Sequence, residues 1–197
     1  MWYFTWILGV LLACSLGIIN VLRLEAQEAL EKENIVVDPL TQLLARESVL
    51  ERLQEKVDNS KRNKMPFSLL YLSLTDFKNK HHLAEYEMDT TIFKVVETLR
   101  LDIRTGLDIA ARVGEDDFVL ALPGIAADRA EIIAERIKRN IFVNVTTPKK
   151  EAVDIAIGFV EYTDHTEVIA EEVEMGMGEV EALLSIAIGK CLESTLT

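Results

Sequence analysis

The chain has 197 residues, with 33 acidic against 21 basic side chains and a net charge of −12 at pH 7. That balance speaks against binding nucleic acid or anionic lipid, both of which call for a Lys and Arg excess. Two cysteines, Cys14 and Cys191, exclude a disulfide framework and suit a reducing compartment.

From Trp2 to Leu22 no residue is charged. As a helix, Trp2 to Leu24 rises about 34 Å, enough to cross the hydrocarbon core of a bilayer. Trp2, Tyr3 and Trp6 gather at one end, where amphipathic rings settle among headgroups, and Arg23 closes the other. The pattern predicts a transmembrane helix over residues 1–24. A cleaved signal would carry a basic residue before the apolar run, and none is present. Leu11-Leu12-Ala13-Cys14 has the form of a lipoprotein processing box, yet the apolar run continues through Ile18, Ile19, Val21 and Leu22. Gly9, Ala13 and Gly17 recur every fourth residue, a stripe of small side chains that lets a partner helix approach. Arg23, Lys32, Arg46 and Arg52 follow the run while no Lys or Arg precedes it. The positive-inside tendency therefore predicts a single-pass protein of the inner (cytoplasmic) membrane, N-terminus outside and the remainder in the cytoplasm.

Residues 25–37 read as a helical linker, with Glu28 and Lys32 spaced to pair, and Asp38-Pro39 breaks it. Residues 38–197 suit one domain with a full core. Leu40 to Val57 has the apolar spacing of an amphipathic helix. Phe67 to Leu74 reads as a strand, and Thr91 to Ile103 as a helix with Ile92, Val95, Val96, Leu99 and Ile103 on one face. Ile109 to Leu122 reads as strand, tight turn and strand, turning at Gly114-Glu115-Asp116-Asp117. Asp128 to Phe142 is predicted helical, Val153 to Phe159 a strand, and Glu179 to Leu192 a last helix after the loose Met175-Gly176-Met177-Gly178. Strands and helices alternating around a hairpin predict an α+β fold with helices on the faces of a sheet. His81-His82 reads as an exposed loop, since adjacent side chains point apart and no further ligand lies near.

Met1-Trp2-Tyr3-Phe4, Trp6-Ile7-Leu8-Gly9, Leu11-Leu12-Ala13-Cys14, Gly17, Ile19 and Leu24-Glu25 closely resemble the CydX/YbgT family, the small accessory subunit of cytochrome bd quinol oxidase. The resemblance implies a helix that packs through Trp2, Tyr3, Trp6, Gly9, Ala13, Gly17 and Glu25 against the large oxidase subunits. It also implies that haem b and d lie in those partners, with no cofactor on this chain alone. Arg23 departs from the family pattern, and the family peptide ends soon after this point.

Arg112-Val113-Gly114-Glu115-Asp116-Asp117-Phe118 resembles the RxGGDEF signature of diguanylate cyclases. Asp38-Pro39-Leu40-Thr41 resembles that family's DxLT opening, and Phe77-Lys78 its FK pair. The resemblance implies the nucleotide-cyclase (GGDEF-like, ferredoxin-like) fold, a five-stranded sheet with helices on both faces. Active members join two GTP molecules with the help of Mg²⁺, a hard cation that prefers carboxylate oxygens. Here one metal carboxylate position is Ser73, the next Asp of that element is Thr75, and only Asp116 keeps a carboxylate if any metal site survives. Glu115 replaces the second Gly, His81 the guanine-reading Asn, Thr90 the guanine-reading Asp, and Glu85-Tyr86 the GH pair. Ala187-Ile188-Gly189-Lys190 stands where the phosphate-binding pattern is expected. Arg104 is one residue out of register for the RxxD inhibition motif, and Thr105 holds its place. Arg104, Asp108 and Arg112 are the residues left to contact a nucleotide, for weak binding of cyclic-di-GMP or GTP.

The expected function is a non-enzymatic membrane accessory subunit of a cytochrome bd-type oxidase carrying a catalytically inactive GGDEF-like domain. The competing expectation is a membrane-anchored GGDEF signalling protein, either a cyclase or a cyclic-di-GMP/GTP receptor.

Overall fold

The computed structural model describes residues 35–74, 77, 83–162 and 178–195. The chain divides into two compact units, residues 1–35 and 36–197. The predicted anchor, its small-residue stripe and most of the linker lie outside the described residues. So do Thr75, Asp76, Lys78, His81 and His82. Among the described residues no helix is long and apolar enough to cross a membrane.

The second unit is built on a five-stranded sheet. Its strands are β1 (Leu44–Ala45), β2 (Phe67–Ser73), β3 (Ile109–Arg112), β4 (Asp117–Pro123) and β5 (Ala156–Tyr162), in the spatial order β1-β3-β4-β2-β5. β1 runs parallel to β3, and the other pairs are antiparallel. The sequence FSLLYLS places β2 between β4 and β5, because an almost unbroken apolar run needs cover on both faces.

Four helices supply that cover: α1 (Arg46–Asn63), α2 (Glu85–Arg100), α3 (Ala127–Asn144) and α4 (Glu179–Thr195). On one face Leu70 and Leu72 of β2, Leu74 just beyond it, and Phe118, Leu120 and Leu122 of β4 pack with α2 and α3. On the other, Phe67, Leu69, Val119 and Ala121 pack with Val49, Leu53 and Val57 of α1 and Val180, Leu183 and Ala187 of α4. Each large side chain buried this way stabilises the fold by about 1.5–3 kcal/mol.

The predicted helix over Leu40 to Val57 starts later, at Arg46. Asp38 intervenes. Its side chain accepts from the Thr41 N–H at 2.7 Å and its carbonyl from the Gln42 N–H at 2.8 Å. Gln42 takes a left-handed φ of 56°. The chain then doubles back, with the Asp38 N–H donating to Leu43 O and the Ala45 N–H to Val36 O. Local side-chain bonds of this kind offer the backbone an alternative to helix, and the residues freed become the edge strand β1. The predicted helix at Thr91 starts earlier, at Glu85, because Glu87 reaches back to accept the Ala84 N–H at 2.9 Å. The last strand is shifted to Ala156–Tyr162.

Gly158 lets α4 settle on β5. A Cβ there would lie 2.1 Å from the Ala187 carbonyl oxygen and 2.3 Å from the Cys191 nitrogen. Lys61 ties α1 to α4 by donating to both Glu179 oxygens at 2.5 and 2.6 Å.

Backbone meets backbone at Gly158, so neither side can yield by changing a rotamer. Gly158→Ala is therefore expected to destabilise the protein by about 1–3 kcal/mol, the usual cost of overpacking. Urea denaturation checks this, and a neutral result would contradict the close approach.

Candidate functional site

The Gly114–Asp117 turn is held from two directions. Across the hairpin, Val113 and Gly114 both donate N–H groups to the Asp117 carbonyl, at 3.0 and 3.4 Å. From β2, the Leu74 N–H donates to the Asp116 carbonyl at 3.1 Å. Neither Gly114 nor Glu115 takes a positive φ. The backbone therefore accepts a side chain at 115 without strain, and Glu115 changes the charge of the turn rather than its shape. A Cβ at Gly114 would sit 2.6 Å from Asp117 Oδ2 and would make that carboxylate shift.

Arg112 joins this turn to the start of the domain. Its Nη1 donates to Asp38 Oδ1 at 3.1 Å, and its Nη2 to the Glu115 carbonyl at 2.5 Å. Asp38 Oδ2 also accepts from the Thr41 hydroxyl at 2.6 Å, and Arg100 Nη2 donates to the Thr41 carbonyl at 2.8 Å. Burial alone would raise the Asp38 carboxyl. The two Thr41 donors and Arg112 outweigh it and hold the carboxyl below the ordinary aspartate range.

The carboxylates of the turn diverge from a metal site. Ser73 and Asp117 are cross-strand partners, so the position that should carry the second metal carboxylate presents a hydroxymethyl group. Asp117 instead accepts a hydrogen bond from Tyr71, whose hydroxyl is pushed up by burial and by Asp117 itself. Cys191 of α4 lies in the same cluster, and burial raises its thiol. Asp116 is raised by burial first and then by the charges of Asp117 and Glu115, with Arg112 a lesser opposing influence. Among the described residues no three metal-ligating side chains converge. Mg²⁺ usually takes one or two carboxylates together with substrate phosphates, and of the two positions the family resemblance assigns to it Asp116 carries a carboxylate and Ser73 a hydroxyl.

Beside the turn lies a cleft of about 200 Å³ lined by Glu85, Met88, Asp89, Ile92, Arg112 and Glu115. Three carboxylates face one guanidinium, which Asp38 already engages. Thr90 turns its hydroxyl back to the Tyr86 carbonyl at 2.8 Å, and Tyr86 is 72% exposed. Lys190 stacks its ammonium 5.7 Å from the centre of the Phe159 ring.

The three residues singled out for nucleotide contact are not gathered at one point. Arg104 Nη2 donates to Asp108 at 2.6 Å and to the Pro123 carbonyl at 2.8 Å. Asp108 immediately precedes β3 and Arg112 ends it, about 13 Å away along an extended chain. The Tyr71–Asp117–Cys191 cluster was not anticipated from sequence, since its members are far apart in the chain and no spacing signals it.

Residues 35–181 match the family described as diguanylate cyclase, GGDEF domain, and residues 1–27 match the membrane bound YbgT-like proteins. The bifunctional diguanylate cyclase/cyclic di-GMP phosphodiesterase MucR of Pseudomonas aeruginosa is 32% identical over 111 residues, covering 52% of this chain and 16% of MucR. Cytochrome bd-I ubiquinol oxidase subunit X of Escherichia coli is 66% identical over 29 residues, covering 15% of this chain and 78% of that subunit. The crystal structure of the FimX GGDEF domain from Pseudomonas aeruginosa superposes with a TM-score of 0.68 at 14% identity, covering 81% of this chain and 93% of that one. The chain spans 16–29% of the lengths of the curated relatives it matches through this domain.

Removing the guanidinium leaves Asp38 partly buried with only its Thr41 donors. Arg112→Met is expected to cost about 1.5–3 kcal/mol, the range for a hydrogen bond to a charged group. Because the folded Asp38 carboxyl lies below its ordinary value of 3.8, its contribution is present above that value and lost as pH falls through the folded one. Denaturation of the wild type and Asp38→Asn at neutral pH and near pH 3 should show the difference between them shrinking in acid. A constant difference would contradict the assignment.

Proposed function

The chain belongs to the GGDEF diguanylate cyclase family through residues 35–181 and to the YbgT-like membrane family through residues 1–27, and from this double membership we propose an accessory subunit of a cytochrome bd-type quinol oxidase carrying a catalytically inactive GGDEF domain. In this reading residues 1–24 cross the inner membrane once, N-terminus outside. The helix packs beside the large oxidase subunits, which hold the haems, and the GGDEF domain stands in the cytoplasm. The 66% identity with subunit X, extending over 78% of that short protein, carries the oxidase side of the proposal.

The serine at position 73, where the resemblance expects a metal carboxylate beside that of Asp116, supports the other side. A cyclase orients attack on an α-phosphate with a metal held by paired carboxylates, and here one of the pair is a serine. Glu115 adds a third carboxylate to the turn and faces the cleft with Glu85 and Asp89. The loss is of charge and ligands rather than of fold, since the turn keeps its backbone bonds. The domain then has a structural or regulatory role in the complex.

Mild-detergent capture of the tagged full-length protein from native membranes is expected to bring down two large subunits, with a b/d-type reduced-minus-oxidised haem spectrum. A haem-free eluate would overturn the oxidase role. Incubated with GTP and Mg²⁺, the purified chain is expected to yield no cyclic dinucleotide. Measurable conversion would refute the claim of inactivity, and tight GTP or cyclic-di-GMP binding would favour a receptor.

A further inference from the structure

The acidic balance of the chain is not evenly spread. From Arg136 to Lys150 there are five cationic side chains, Arg136, Lys138, Arg139, Lys149 and Lys150, and no carboxylate. The segment runs from the second half of α3 through the turn that follows it. Arg136 is engaged by Asp102 at 2.6 Å, while Arg139, Lys149 and Lys150 are exposed. A further cation joins from α2, where Lys94 donates to the Thr146 carbonyl at 3.4 Å. Among these charges stand two large apolar side chains, Phe142 at 55% and Val143 at 68% exposure. Arg139, Phe142 and Val143 follow at helical i, i+3 and i+4 spacing and so share one face. Glu135 lies one turn before Arg139 on the same face, and with Glu131 it borders the N-terminal edge of the patch beside Arg136 and Arg139. Beyond the turn, Glu151 and Asp154 are exposed.

Basic side chains surrounding exposed apolar ones suit the headgroup and acyl boundary of an anionic bilayer. Nucleic acid would use the cations but not Val143, and a bilayer anchored by residues 1–24 is the anionic apolar surface the chain itself supplies. We propose that the C-terminal end of α3 and the 147–150 turn form a docking surface for anionic phospholipid. The proposal rests on the reading that residues 1–24 anchor the chain. An anchor joined to the domain by the linker of residues 25–37 keeps the bilayer at high effective concentration, so weak contacts are enough to orient the domain.

The test uses the full chain with Cys14→Ser and Val143→Cys, labelled at position 143 with a polarity-sensitive fluorophore. Cys191 is only 2% exposed and stays unlabelled. The protein is reconstituted into vesicles of phosphatidylcholine alone, or of phosphatidylcholine mixed with phosphatidylglycerol. The expected result is a blue shift in the mixed vesicles only, reversed by high salt and abolished by Lys149→Glu with Lys150→Glu. Equal emission in the two vesicle types would overturn the inference while leaving the anchor intact. A shift that survives charge reversal would overturn it in favour of a protein contact. Failure of the chain to stay with either vesicle would overturn the anchor reading, and this inference with it.

Discussion

The double-sided burial of β2 is the constraint on which the remaining architecture depends. A strand reading FSLLYLS has almost no polar face to turn to water, so α2 and α3 must close one side and α1 and α4 the other. Once β2 is central, its far end determines what stands around the turn. Ser73 comes to lie opposite Asp117, the Leu74 N–H reaches the Asp116 carbonyl, and Tyr71 comes within reach of the Asp117 carboxylate. Gly158 completes the arrangement by letting the α4 backbone rest on β5, which brings Cys191 behind the turn.

The turn separates two properties that a signature motif usually joins. Its backbone needs no left-handed residue at 115, so a glutamate is accommodated with every hairpin bond kept. Its electrostatics change with the same exchange, which adds a carboxylate to the turn. Asp116, Asp117 and Glu115 are adjacent carboxylates, and the one nearby guanidinium is divided between Asp38 and the Glu115 carbonyl. Fold and chemistry rest on different interactions here. Shape is held by many backbone bonds and a large core, whereas metal and phosphate binding depend on a few charges at defined positions. Arg112 serves the fold by fastening the entry of the domain to its turn.

Much of this was legible from residue order. The β2 strand, the hairpin with its turn at 114–117 and the existence of all four helices follow from periodicity and turn residues. The start of α1 was misread, because the leucines at 40, 43 and 44 satisfy a helical spacing while Asp38 spends its oxygens on Thr41 and bends the chain instead. The start of α2 was missed because Ala84 has no capping side chain of its own and the cap is supplied by Glu87. Of the candidate nucleotide contacts, the Arg104–Asp108 pair was readable from its spacing. The separate commitment of Arg112 to Asp38, 74 positions away, was not.

The sequence by itself determined the two family memberships, the acidic balance, the order of elements and the serine at position 73. Each depends on residue identity or on spacing along the chain, which folding does not alter. Only the tertiary structure decided which groups meet: Asp38 with Arg112, Tyr71 with Asp117 and Cys191, and Lys94 with the end of α3. These pairings join segments brought together by burial of the two apolar faces, and no local pattern encodes such a distance.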